Sequence, residues 1–299
     1  MKPLNRSARV GFIGLGNLGL PMALTLLRDG WELAVFDKVE QRAAVCAAEG
    51  AIVVGSVDRL ADCDAVCLAV PDDQVATELL TRDAGGLLGL LHPGALVVLH
   101  STLLPRSVVR LYELGAERDV QVLDAPVSGG PERAARGDLT IMVGGSRAAL
   151  DRARPLLRAV GSQVLEVGPP GAGAAVKLAN QLMMFAALAG AQEGLELAAA
   201  HGVQEEDVLA AVRSSLGDSW VARNWGFFDD MAAGYDRAGT PLRERSWSKD
   251  LWDVVATARE VDVHLPVAGL LAQHLADRVE AHARRTRGDG KSIPPHEGV

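Results

Sequence analysis

From residue 9 the chain alternates short, almost wholly apolar, β-branched runs with longer stretches in which apolar positions recur every three or four residues. A run that is apolar at successive positions buries both faces of a strand, whereas a period near 3.6 buries one face of a helix. The runs predict strands at 10–13, 32–36, 52–54, 65–70, 95–100, 121–125, 140–143 and 163–167, with helices at 21–29, 41–49 and 73–80 between the early ones. Strands that alternate with helices form a mostly parallel sheet with helices on both faces, so this half reads as doubly wound α/β. Past Gly168-Pro169-Pro170-Gly171 no further β-rich run occurs, and the pattern becomes Ala- and Leu-rich helices broken at Gly202, Gly217 and Gly234. The first of these runs from about 173 to 201 and is apolar nearly all round, which implies burial between domains or subunits. The expected layout is an α/β domain over 1–168 and an all-helical domain over 169–299, entered through that long helix. The charged, Gly- and Pro-containing tail 284–299 is expected to be disordered.

Composition narrows the functional classes. A chain of 299 residues suits two domains, and 48% hydrophobic with 23% charged residues suits a large core. The net charge of −8, with the longest basic run only Arg284-Arg285 to Arg287, excludes a nucleic-acid partner. Three cysteines (Cys46, Cys63, Cys67) without a secretory segment imply a reducing compartment, buried thiols, no disulfide framework and no metal site. The apolar core of the long helix, 182–191, is too short to span a bilayer of roughly 30 Å, and the residues before the first strand are too few for a targeting segment. A cytoplasmic protein without membrane contact is expected.

The first strand leads into Gly14-Leu15-Gly16-Asn17-Leu18-Gly19, a G-x-G-x-x-G at a strand-to-helix junction. In a Rossmann fold Gly14 permits the tight turn, Gly16 lets the backbone approach a pyrophosphate, and Gly19 allows close helix packing. The helix start at Asn17 and Leu18 presents free N–H groups to the anion. Asp37, eighteen residues beyond Gly19 at the end of the second strand, can accept hydrogen bonds from ribose hydroxyls. An acidic residue there repels a 2′-phosphate and favours NAD over NADP, although Lys38 beside it is a cation that would tolerate that phosphate.

Two further patterns carry chemistry. Ser128-Gly129-Gly130 follows a strand and offers backbone N–H groups and a hydroxyl to a carboxylate, though the same residues also fit a plain turn. Gly173, Lys177 and Asn180 are spaced i, i+4 and i+7 on one face of the long helix. A lysine among Ala, Val, Leu and Met loses hydration, which moves its pKa towards a useful range for acid-base work; a solvent-facing lysine fits the same spacing.

With these motifs the chain resembles the β-hydroxyacid dehydrogenase family, which includes hydroxyisobutyrate dehydrogenase, tartronate semialdehyde reductase and, more distantly, phosphogluconate dehydrogenase. The resemblance covers roughly residues 9–280 and is carried by GFIGLGNLGLPMA at 11–23, DAPVSGG at 124–130, GDLTIMVGG at 137–145, GAAVKLANQ at 173–181 and the Lys249-Asp250 pair. It implies hydride transfer between NAD(P) and a small β-hydroxy acid or its semialdehyde. Lys177 would be the general acid/base, Asn180 would hold the reacting oxygen, and Ser128, Gly129, Gly130 and Thr102 would bind the substrate. It also implies cofactor contacts from Ser101 and Thr102 on the nicotinamide side, from Val70 and Pro71 at the ribose, and from Lys249 near the nicotinamide ring. The long apolar helix implies a homodimer or homotetramer.

The chain departs from the family in places. His100 stands where many relatives differ and reads as a packed strand-end histidine. Trp220, Trp225, Trp247 and Trp252, with Arg223, Arg243 and Arg245 among them, form a cluster near the expected pocket that relatives do not share as a rule, so the substrate is not carried over. KLANQ lacks the His-Asn pair of the phosphogluconate branch. Two alternatives use the same scaffold, an imine reductase and a non-catalytic NAD(P)-binding protein; the presence of Lys177 counts against both.

Overall fold

The computed structural model describes residues 2–288, without the side chains of 83–85. It divides into two compact units, one up to Lys177 and one from Leu178 onward. The first is built on strands β1 (Arg9–Ile13), β2 (Glu32–Phe36), β3 (Ile52–Val53), β4 (Ala65–Leu68), β5 (Leu96–Leu99), β6 (Gln121–Asp124), β7 (Val127–Ser128), β8 (Thr140–Gly144) and β9 (Gln163–Gly168). Their order is β3-β2-β1-β4-β5-β6-β8-β7, with β9 also on β8; the pairs from β3 to β6 are parallel, and β8 runs antiparallel to β6 and β7. That order carries the topological switch of a doubly wound sheet at β1 and β4, where strand ends open a crevice for a ligand.

Alternation along each central strand explains why both faces are covered. Val10, Cys67, Leu96 and Val98 pack into one buried cluster, while Ile13, Val66, Leu68, Val97 and Leu99 pack into the other. The first cluster is closed by α1 (Gly19–Arg28), α2 (Glu40–Ala48) and α6 (Arg147–Val160), and the second by α3 (Asp73–Leu90) and α4 (Pro105–Ala116). A short α5 (Gly130–Ala135) follows β7. Cys46, Cys63 and Cys67 are buried and free, and burial pushes the Cys46 and Cys63 thiols up to about 11.

Helix α7 (Ala172–Ala200) begins in the first unit and continues in the second. At 29 residues it is long and apolar enough to cross a membrane by length and composition alone, a test that the core helix of a soluble protein also passes. The second unit continues with α8 (Glu205–Val212), α9 (Trp220–Arg223), α10 (Phe227–Arg237), α11 (Ser246–Glu260) and α12 (Pro266–Thr286). Phe185, Leu188, Phe228, Trp247, Leu251, Leu275 and Val279 form its core. Gly234, expected to break a helix, lies inside α10, and residues 284–286, expected in the disordered tail, close α12. The rest of the expected tail from 289 lies outside the described residues.

The predicted cluster of tryptophans and arginines divides into unlike parts. Trp247 is fully buried, and Arg245 makes two 2.8 Å bonds to the Glu280 carboxylate, which also accepts from Trp247 Nε1. These residues hold α11 to α12. Arg223 pairs with Asp218, Arg243 with Glu244, and Trp220 and Trp252 are about half exposed.

Candidate functional site

The loop between β1 and α1 is shaped by contacts that admit only glycine at its two ends. A Cβ on Gly14 would overlap the carbonyl of Ala69, and one on Gly19 would overlap the carbonyl of Gly14. Gly14 also has φ +89°, a turn conformation that other residues rarely adopt. Over Gly16, by contrast, nothing lies within 4 Å of a Cβ position, so the turn presents open backbone there. Leu18 is the N-cap of α1 and makes no side-chain cap bond; the Leu20 N–H is taken by Gly16 O and Pro21 has none, so an anion would meet the turn just ahead of them. Two closely packed glycines fixing the turn around one open glycine suit a pyrophosphate.

Asp37 follows β2 with its side chain almost wholly covered. Its Oδ2 accepts the Leu15 backbone N–H at 2.6 Å and its Oδ1 accepts that of Val39 at 2.8 Å, while Arg42 stands 3.9 Å away. The carboxylate therefore braces the glycine loop, a role that the sequence reading missed.

The carboxyl ends of β4, β5 and β6 are tied to one another. Ser101 Oγ accepts the Val70 backbone N–H at 2.8 Å, and the His100 N–H donates to Leu68 O. His100 Nδ1 lies 2.9 Å from Ala125 O, so the neutral ring donates through this nitrogen. The imidazole is 4% exposed, and burial lowers its pKa to about 4. His100 is thus a packed, neutral strand-end residue. Pro71 is exposed and Thr102 is half-buried next to Ser101.

Ser128 ends β7, and the following glycines take φ +137° at Gly129 and +75° at Gly130, which turns the backbone sharply into α5. All three are partly open to solvent. Lys177 sits one turn beyond the start of α7 and is 8% exposed, so it is no solvent-facing lysine. At the start of the same helix the buried Asp124 carboxylate accepts Gly171 N–H at 3.1 Å and Ala174 N–H at 2.8 Å. Asp124 lies in the DAPVSGG motif, yet the motif alone gives it no role. The signal was the absence of a Ser, Thr, Asp or Asn just ahead of α7, where a capping side chain would stand.

In the helical unit, Asn180 Nδ2 donates to Gln181 Oε1 at 3.3 Å, and Gln181 Nε2 donates to the buried Asp250 at 2.6 Å. Lys249 Nζ lies 3.2 Å from Asp250 and 2.6 Å from Asp253. These two carboxylates hold the Lys249 ammonium well above the usual lysine range despite burial. Lys249, Asp250 and Asp253 thus form a covered three-residue ion cluster. Among the described residues no group of three His, Cys, Asp or Glu side chains could hold a metal ion.

A switch-point crevice floored by a glycine turn and flanked by an acidic strand end is the architecture of dinucleotide-dependent oxidoreductases. The comparisons agree. Residues 9–168 match the NAD binding domain of 6-phosphogluconate dehydrogenase, and residues 171–293 match the family described as NAD-binding of NADP-dependent 3-hydroxyisobutyrate dehydrogenase. The NAD-dependent L-serine dehydrogenase of Pseudomonas aeruginosa is 38% identical over 236 residues, 77% of this chain and 79% of that protein. The 2-(hydroxymethyl)glutarate dehydrogenase of Eubacterium barkeri is 32% identical over 90% of this chain and 89% of its own. A solved Mycobacterium tuberculosis 3-hydroxyisobutyrate dehydrogenase, described with L-serine, superposes with TM-score 0.78 at 26% identity, covering 92% of this chain and 95% of that one. The chain belongs to the β-hydroxyacid dehydrogenase family. It is an NAD(P)-dependent oxidoreductase that moves a hydride between nicotinamide and a small β-hydroxy acid or semialdehyde.

Proposed function

We propose that the substrate is a 3-hydroxy carboxylate with a primary hydroxyl, oxidised with NAD in preference to NADP, and that Lys177 is its general acid/base. The observation that carries this reading is the burial of a lysine on α7, in the unit that also holds the glycine turn and the Ser128 loop. L-serine and 2-(hydroxymethyl)glutarate, named for two relatives, share a CH2OH group next to the carbon that bears the carboxylate.

In this reading Gly14, Gly16, Asn17, Leu18 and Gly19 cradle the dinucleotide's phosphates, and Asp37 takes the adenosine ribose. Val70, Pro71, Ser101 and Thr102 line the cofactor's path along the strand ends, and the resemblance carries Lys249 over as a further cofactor-binding residue. When bound, the nicotinamide supplies the hydride acceptor for oxidation or the donor for reduction. Ser128, Gly129 and Gly130 bind the substrate carboxylate through a hydroxyl and backbone N–H groups, with Thr102 beside them. Lys177 Nζ, as the amine, takes the hydroxyl proton as the alcohol becomes a carbonyl; as the ammonium it returns that proton in reduction. Asn180, one turn further along α7, donates a hydrogen bond to the same oxygen.

The test is NAD reduction with L-serine, 3-hydroxyisobutyrate and 2-(hydroxymethyl)glutarate at alkaline pH, alongside NADH oxidation with the matching semialdehydes. Lys177→Ala should lower kcat by about 10²- to 10⁴-fold while cofactor affinity stays within a few-fold. Full activity in that variant would remove Lys177 from the mechanism. A homodimer or homotetramer is supported by the apolar surface of α7, where Met183 is 74% exposed, and light scattering reads it directly. A cytoplasmic location is supported by the polar residues Lys177, Asn180, Gln181, Gln192 and Glu193 distributed along α7, which a lipid-facing helix would not carry.

A further inference from the structure

Helix α7 has no cap of its own. The segment ahead of it, Gly168-Pro169-Pro170-Gly171, contains no side-chain acceptor, although the first turn of any helix exposes N–H groups that need one. The acceptor comes from 47 and 50 residues away in sequence: Asp124, the last residue of β6, takes the Gly171 and Ala174 N–H groups on its two carboxylate oxygens. Its negative charge also meets the positive end of the helix dipole. Burial raises the Asp124 pKa, and the amides of Ala174, Gly171 and Gly173 oppose that rise by stabilising the carboxylate.

The junction is tight on every side. Asp124 pairs with Gly144 at the end of β8, where a Cβ would stand 2.8 Å from Gly173 N and 2.5 Å from Asp124 Oδ1. A Cβ on Gly173 would overlap the Met142 carbonyl and stand 2.8 Å from Asp124 Oδ2. Two strand ends and one helix start therefore meet at contact distance, with a single carboxylate between them. The chain leaving Asp124 reaches Ser128 four residues later, and the helix that Asp124 caps reaches Lys177 three residues after Ala174. The Ala125 carbonyl, next to Asp124, takes the His100 ring, so β5 is tied to the same point.

We infer that Asp124 is a positioning residue for the reaction: it sets the start of α7, and with it Lys177, against the Ser128-Gly129-Gly130 loop. The inference rests on the assignment of Lys177 as general acid/base. Reacting groups displaced by about 1 Å lose on the order of 10² in rate, so a loosened helix start lowers kcat more than it alters substrate KM. The cofactor turn at 14–19 lies on a different strand and keeps its geometry.

The experiment is a double-mutant cycle on the full chain, with L-serine or 3-hydroxyisobutyrate as the probe, whichever turns over faster, and NAD affinity and melting temperature measured for each variant. Asp124→Asn keeps shape and volume but turns an amide NH2 towards a backbone N–H; Asp124→Ser, with one hydroxyl acceptor and no bulk, is the second variant should the first fail to fold. In the wild-type background either substitution should lower kcat 10- to 100-fold with NAD affinity within threefold. In the Lys177→Ala background, read by single turnover at high enzyme concentration, the same substitution should change the residual rate less than threefold, because the group it positions is already gone. Equal losses in both backgrounds, or no loss in the wild type, overturn the positioning role. A Lys177→Ala variant as active as wild type would instead overturn the proposed mechanism, and the cycle separates the two results.

Discussion

Lowering the pH should weaken the α/β unit through a single imidazole. His100 is 4% exposed, and burial moves its pKa from 6.5 to about 4. The unfolded chain then takes up the proton first as pH falls, so the stability from keeping this ring neutral is complete above pH 6.5 and is lost progressively between 6.5 and 4. Over the whole window the shift amounts to about 3 kcal/mol at 1.36 kcal/mol per pKa unit, and between pH 7 and pH 5 it amounts to about 2 kcal/mol. The perturbation is His100→Gln, which retains an N–H donor for the Ala125 carbonyl but cannot titrate. Urea unfolding followed by far-ultraviolet circular dichroism at pH 7, 6 and 5 gives the difference between the two proteins, and the surface carboxylates common to both cancel. Hydrogen exchange of the 96–100 segment places the effect at β5. If wild type and variant lose the same free energy between pH 7 and pH 5, the ring is not held neutral and the reasoning fails.

Other perturbations test other parts of the structure. Gly19→Ala drives a methyl into the Gly14 carbonyl, so NAD affinity should fall at least tenfold by fluorescence titration. Asp37→Asn should weaken NAD binding severalfold and narrow the NAD:NADP affinity ratio, because the ribose acceptor and the charge that repels a 2′-phosphate change together. Glu280→Gln takes the charge partner from the buried Arg245 and should cost about 3 kcal/mol in the helical unit, measured by denaturant unfolding with the tryptophan signal.

The strands were legible to within one or two residues wherever both faces are buried, as in Val10 to Ile13 and Glu32 to Phe36, since a short apolar run between turn residues fits a doubly buried strand and is too brief for a helix. Strand β7 was not, because two residues, Val127 and Ser128, become a strand only through pairing with Ile141 and Thr140. Helix α3 was expected to end near 80 but runs to Leu90; Thr81-Arg82-Asp83 and the following glycines blunt its apolar period, and tertiary packing overrides them. The residue types of the site were readable from motifs, but their partners were not. Nothing in the spacing says that Asp37 bonds Leu15, that Asp250 receives Gln181, or that Arg245 and Trp247 face Glu280 while Arg243 faces solvent. Those facts depend on which elements meet, and sequence separation hides them.

With Asp37 as the proposed ribose acceptor, its bond to the Leu15 amide makes cofactor choice and loop rigidity a coupled trait. A substitution that admits a 2′-phosphate by removing the carboxylate also releases the turn on which the diphosphate rests. Conversion of this scaffold to NADP therefore needs paired changes, one that supplies a cation for the extra phosphate and one that restores an acceptor for the amide. Lineages or libraries that vary Asp37 alone should yield enzymes that have lost their old coenzyme without gaining the new one.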